Sequence, residues 1–215
     1  MKMVLFMKKM LRFLVVFAML FCQFYNVHAL EVNVSNSIDL TRVLDDPDVS
    51  IEIYDDVDDY ISAVENDVYI NECEKEIMIS EARAESKMRA YYYEYAKLRF
   101  DVSVTSTYHC YPYFYIKWKY SEDIDSPLAM VEVKNANIDR QYNNISKQFD
   151  GSLYYNLESD KKLYWDLNGD FYNNGTTSVS GGASIKVSEY LTLTFSVTGS
   201  SNHYKYIQYD KTYKF

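Results

Sequence analysis

The chain has 215 residues and a formal net charge of −9, which allows one sizeable domain or one domain with an attached arm. Its 31 acidic side chains outnumber 22 basic ones, so it lacks the basic face that phosphate binding needs, and nucleic acid is excluded as a partner. Its 23 tyrosines suit either a membrane–water boundary or a soluble binding surface, because the ring is apolar and the tip polar.

Residues 1–29 have the pattern of a secretory signal peptide. Lys2, Lys8, Lys9 and Arg12 precede an apolar run over 13–21, and Val27-His28-Ala29 supplies small residues for cleavage after Ala29. The run is short for a spanning helix, and Phe21 before Cys22 is not the small residue a lipoprotein anchor prefers. Removing this leader takes away four positive charges and no acid, which brings the net charge from −9 to about −13.

Residues 30–99 read as an acidic, mostly helical periplasmic arm. Asp45, Asp46, Pro47 and Asp48 form a turn cluster. Asp55, Asp56, Asp58 and Asp59 then open a helix at the positive end of its dipole; their spacing does not match a calcium loop. Ile53, Val57, Ile61, Val64 and Val68 make one helical stripe. Ile70, Cys73, Ile77, Ala84, Met88, Tyr91, Tyr95 and Leu98 make a second, on nearly the opposite face. Two helices follow, or one broken near 66–71. Neither Pro nor Gly interrupts 70–98, so the second is expected to be long, with Glu74, Lys75, Glu81, Arg83, Glu85, Lys87 and Arg89 on its wet side.

At Phe100 the apolar period changes from 3.6 to 2. Val102, Val104, Tyr108 and Cys110 alternate with polar residues, as do Phe114, Ile116, Trp118 and Tyr120. The signal weakens over 128–139 and returns in Ile145, Phe149, Leu153, Tyr155 and Leu157. The cleanest stretch is 162–171, where Leu163, Trp165, Leu167 and Phe171 point one way and Lys162, Tyr164, Asp166, Asn168 and Asp170 the other. Ala183, Ile185 and Val187, then Leu191, Leu193, Phe195 and Val197, and finally Ile207, Tyr209, Tyr213 and Phe215 continue it. The expected fold is mainly β with an N-terminal helical arm, residues 100–215 forming an up-and-down antiparallel β-barrel of about eight strands. Glu158-Ser159-Asp160 and Ser188-Glu189 read as tight turns; Tyr172–Gly175 and Gly199–His203 read as looser loops. A turn at Tyr111-Pro112 and a long connection over 121–127 fit that alternation poorly. Lys117, Lys119, Arg140 and Lys162 would meet Asp166, Asp170 and Glu132 inside the barrel as a structural charge network.

The last 55–70 residues resemble the hairpins of small outer-membrane β-barrel proteins. Residues 182–195 look like two of their strands around a periplasmic turn, and a terminal Phe215 after Tyr213 resembles the signal read by the barrel-assembly machinery. Residues 81–105 are faintly similar to the helix-to-strand junction of outer-membrane efflux channels, but the strand-like remainder departs from that pattern. The resemblance implies outer-membrane lipid and the barrel-assembly machinery as partners, an envelope protein bound through the arm, and an outer-membrane location with a structural, adhesive or docking role. A secreted or periplasmic β-sandwich binding module, with exposed aromatics holding a glycan or a peptide, gives the same alternation. A third reading is one subunit of an oligomeric efflux-type channel.

No catalysis, cofactor or metal is expected. His109 precedes Cys110, but adjacent strand residues face opposite ways, which argues against a Cys–His dyad. His203 falls in a loop. Asp166-Leu167-Asn168-Gly169-Asp170 does not complete a calcium motif, and Gly181-Gly182 is too short for a phosphate loop and fits a strand bend. Cys73 and Cys110 either form a disulfide, which export makes available, or remain as buried or free thiols.

Overall fold

The computed structural model describes residues 46–54, 56–67, 71–85, 92–121, 126–199 and 202–214, with the side chains of 81–85 and 126 excepted. The signal peptide and Phe215 lie outside the described residues. A short strand β1 (Val49–Tyr54) leads into helices α1 (Val57–Asp67) and α2 (Glu72–Glu85). Strands β2 (Tyr92–Phe100), β3 (Val102–Thr105), β4 (Tyr108–Ser121) and β5 (Ser126–Asp139) follow. A small hairpin of β6 (Gln141–Tyr142) and β7 (Ile145–Ser146) connects to β8 (Gln148–Ser159), β9 (Lys162–Tyr172) and β10 (Thr176–Ser180). The chain ends in β11 (Ile185–Lys186), β12 (Tyr190–Thr198) and β13 (His203–Lys214).

The protein is mainly β and its strand pairs are antiparallel, but no closed barrel is found among the described residues. The strands divide into two large open sheets and the two-stranded β6-β7 hairpin. Sheet 1 runs β1-β2-β4-β5-β11, with β3 beside β4; sheet 2 runs β10-β12-β8-β9-β13. Their apolar faces close on each other. Leu98, Phe100, Phe114 and Ile116 from sheet 1 share one buried cluster with Leu163, Trp165, Leu167 and Phe195 from sheet 2. Rings interlock across the gap: Phe100 lies 5.1 Å from Trp165 and Phe114 5.6 Å from Tyr155. The alternation seen in the sequence therefore marks one dry face per strand, and each dry face is covered by the opposite sheet.

A third layer lies on the outer face of sheet 1. Tyr60, Ile61 and Val64 of α1 pack on Tyr95, Tyr113 and Tyr115, joined by Met78 and Ile79 of α2. Tyr60 stacks on Tyr95 at 4.5 Å. The helix starts are capped as their residues dictate. Asp56 Oδ1 accepts the amide of Asp58 (2.7 Å), and Asn71 and Glu74 form a reciprocal capping box at 3.0 Å each way. No helix among the described residues is long and apolar enough to cross a membrane.

The helical reading of 30–99 needs two corrections. Residues 49–54 and 92–100 are paired strands, Val49 to Tyr54 running opposite Phe100 to Tyr95. The second helix does not reach Leu98. Tyr95 and Leu98 satisfy helical spacing, yet they occupy opposite faces of β2, one under α1 and one in the inter-sheet core. Burial of Tyr95 beside Ala96 breaks the period of 2 in this strand, and its Tyr-rich run favours extended backbone. The turn expected at Tyr111-Pro112 also moves. Pro112 sits inside β4 at the point where the neighbouring strand breaks between β2 and β3, so its missing N–H costs no ladder bond there. The reversal falls at residues 106–107 instead.

Candidate functional site

A polar-and-apolar cleft of about 600 Å³ opens where sheet 1 comes apart. β11 is antiparallel to β5 but pairs with it only at Ile185–Val133 and Lys186–Glu132. Continued, that register would bring residues 181–184 against 134–137. These two runs instead diverge and form opposite walls of the cleft. Two physical causes are visible. Gly181 takes a left-handed backbone (φ 86°) as the chain leaves sheet 2 for sheet 1, and the Ala183 carbonyl accepts a hydrogen bond from Tyr155 OH at 3.4 Å. Gly181-Gly182 is thus a bend between sheets.

Helix α2 roofs one end with Glu74, Ile77 and Met78, and β10 contributes Val179. Ile77 and Val179 are large apolar side chains left 51% and 43% exposed. The polar lining comprises Asp67, Glu74, Glu132 and Lys134, with Asn135, Asn137 and Ser184. Glu132 and Lys134 are both largely buried and pair at 3.0 Å. Lys117 stands opposite Glu132 across β4–β5 and lies 4.5 Å from the Tyr93 ring centroid. Asp67, at the C-terminal end of α1, meets the unfavourable negative end of the helix dipole. Lys97, an ion-pair partner, and Tyr115 OH, which donates to it at 2.6 Å, hold the carboxylate there. Burial, and then that carboxylate, push the Tyr115 phenol well above its ordinary range, so it stays a donor.

The outer face of sheet 2 is the second surface of note. Thr192, Tyr154, Asp166 and Asp210 form one cross-strand row. Tyr190 (69% exposed) lies 5.9 Å from Tyr154, which lies 6.0 Å from Tyr164. Burial and then the facing Asp210 carboxylate push the Asp166 carboxyl above its ordinary value.

The charge network expected inside a barrel is dispersed into separate contacts. Arg140 donates to Gln148 Oε1 (3.2 Å), Lys162 pairs with Glu158, and Asp170 contacts His203 Nε2 at 2.8 Å. His109 and Cys110 do face opposite sides. His109 stacks on Tyr142 and contacts Asp101 at 2.5 Å, while Cys110 lies in the inter-sheet core. The disulfide alternative is not realised: Cys73 is a free thiol exposed on α2, and Cys110 is free and buried. Burial pushes the Cys110 thiol far up, which makes it inert at neutral pH. Tyr213, read as part of an assembly signal, is buried in the core 6.1 Å from Phe100. No group of three or more His, Cys, Asp or Glu able to hold a metal lies among the described residues.

Sequence reasoning missed the cleft because its walls come from four distant segments. The one local signal was Gly181-Gly182, which marked a bend without saying what it opened. No family model matches the chain, and no curated protein or solved structure matches it.

Proposed function

We propose that this chain is an exported, non-catalytic β-sandwich binding module that holds its ligand in the cleft beside β5. The observation that carries the reading is the inward packing of both sheets' apolar faces. In a membrane barrel Trp165 and Leu167 would face lipid; here both are fully buried against sheet 1. The outward face of sheet 2 carries Thr, Ser, Asn, Asp and Tyr, which suits water, and that of sheet 1 is covered in part by α1 and α2. A cleft of about 600 Å³ with apolar rims and a few placed polar groups has the size and lining of a ligand site.

The alternative is the eight-strand outer-membrane barrel. It would require the sheet edges to join and the apolar ladders to turn outward. Fractionation of the expressed full-length protein with a carbonate wash and a detergent step separates the two. Recovery in the soluble fraction without detergent is expected for the module. Retention in the outer-membrane pellet until detergent is added would overturn it and restore the barrel.

A further inference from the structure

The cleft is a gap between two stretches of backbone that stop pairing, and this determines the shape of what fits it. On the β4 side, β5 is fully laddered from Asn135 to Asp139. On the other side no described strand pairs with β5 beyond Val133. Backbone groups left on a free edge must find partners. Here β5 satisfies them from its own side chains: Asn135 Oδ1 accepts the Ala136 amide at 2.7 Å, and Asn137 Oδ1 accepts the Ile138 amide at 2.8 Å. These are stopgap partners on rotatable side chains. An incoming strand could replace them with carbonyls at little net change in hydrogen bonding. Across the gap, residues 181–184 are exposed and outside any ladder.

The chemistry of the rims adds selectivity. Of the three carboxylates that line the gap, Asp67 pairs with Lys97 and Glu132 with Lys134, which leaves Glu74, exposed on α2, to meet an incoming cation. Ile77 and Val179 present apolar surface at either side. A strand advances about 3.3 Å per residue with side chains alternating in direction. The walls at 134–137 therefore match a stretch of about 13 Å, or four residues.

We propose that the gap accepts an extended peptide of another protein, carrying Lys or Arg between aliphatic residues, which adds to β5 as a strand of sheet 1. This rests on the binding-module reading and names the ligand class of its cleft. Main-chain bonds to Ala136 and Ile138 supply the register. The aliphatic side chains meet Ile77 and Val179, and the basic one meets Glu74.

The test uses the full-length chain and two synthetic, end-blocked octapeptides, one alternating Val and Lys, the other alternating Val and Glu. Binding is read by fluorescence anisotropy, and the amides are followed by hydrogen exchange. The Val-Lys peptide is expected to bind at least about tenfold more tightly than the Val-Glu peptide. It should also slow exchange at Ala136 and Ile138. Ser184→Trp fills the gap from an exposed position and is expected to weaken binding by at least about tenfold without lowering the melting temperature. Ile77→Ala, a milder exposed change, should weaken it less. Equal affinity for both peptides, undiminished binding by Ser184→Trp, or protection confined to other strands would overturn the inference. A soluble chain that binds neither peptide overturns this inference alone, whereas a chain that needs detergent to stay in solution overturns the module reading.

Discussion

Gly169→Ala probes the fit between strands in sheet 2. Gly169 and Gly151 are direct cross-strand partners in β9 and β8. A Cβ at Gly169 would lie 2.3 Å from the Asp150 carbonyl oxygen, 2.7 Å from Gly151 Cα and 2.7 Å from Phe149 Cζ. The ring could tilt, but it is pinned by Phe171 at 4.9 Å and Phe195 at 5.4 Å. The two backbone atoms belong to a strand laddered on both sides, so relief requires local displacement of β8. Overpacking of this kind costs about 1–3 kcal/mol. For a domain of this size that lowers the melting temperature by about 2–4 °C per kcal/mol, or about 2–12 °C in all. Calorimetry of Gly169→Ala beside Thr194→Ala, an exposed outer-face control expected to change stability by less than about 0.5 kcal/mol, measures it. A Gly169→Ala protein that melts with the control would refute the close strand approach and the sheet built on it.

Trp165→Ala empties the centre of the sandwich and should cost about 3–5 kcal/mol, read as a lower urea midpoint with an unchanged slope. Asp67→Asn weakens the tie between α1 and sheet 1; it should destabilise by about 1–3 kcal/mol and raise hydrogen exchange in α1 before that in β9. Asp210→Asn should stabilise by about 0.2–1 kcal/mol at neutral pH. The sign follows from Asp166, whose folded pKa is raised: the folded state holds its proton more tightly, so stability falls as pH rises above the ordinary carboxylate value. The benefit of Asp210→Asn should therefore vanish in acid, where the Asp166 carboxyl is protonated, and melting curves at neutral and acid pH check this. Of the two cysteines among the described residues, a thiol reagent should label Cys73 in the native protein and reach Cys110 only on unfolding; labelling of Cys110 without denaturant would contradict the core.

The late strands were legible in the sequence because each has one wet and one dry face. The alternation around Trp165 survives residue by residue as buried against half-buried in β9. What alternation lacks is a statement of what covers the dry face. Lipid and a second sheet demand the same residues, and only packing partners such as Phe100 and Phe114 decide. The N-terminal half misled for the opposite reason. β2 buries Tyr95 on one face and Leu98 on the other, so the two fell into a helical spacing that continued the stripe of α2. The cleft had still less local trace. Asn135 and Asn137 fall in the stretch 128–139 where the alternation weakens, and their role as edge caps depends on where β11 stops pairing.

Tryptophan quenching tests the central claim most directly, because both tryptophans lie on the faces that a barrel would turn to lipid. Trp118 and Trp165 are buried between the sheets. The account predicts that, in buffer without detergent, both are shielded from iodide until the protein is unfolded, and that vesicles containing brominated lipid leave their emission unchanged. A chain that holds its fold only in detergent or bilayer, with its tryptophans quenched by brominated lipid, would contradict it.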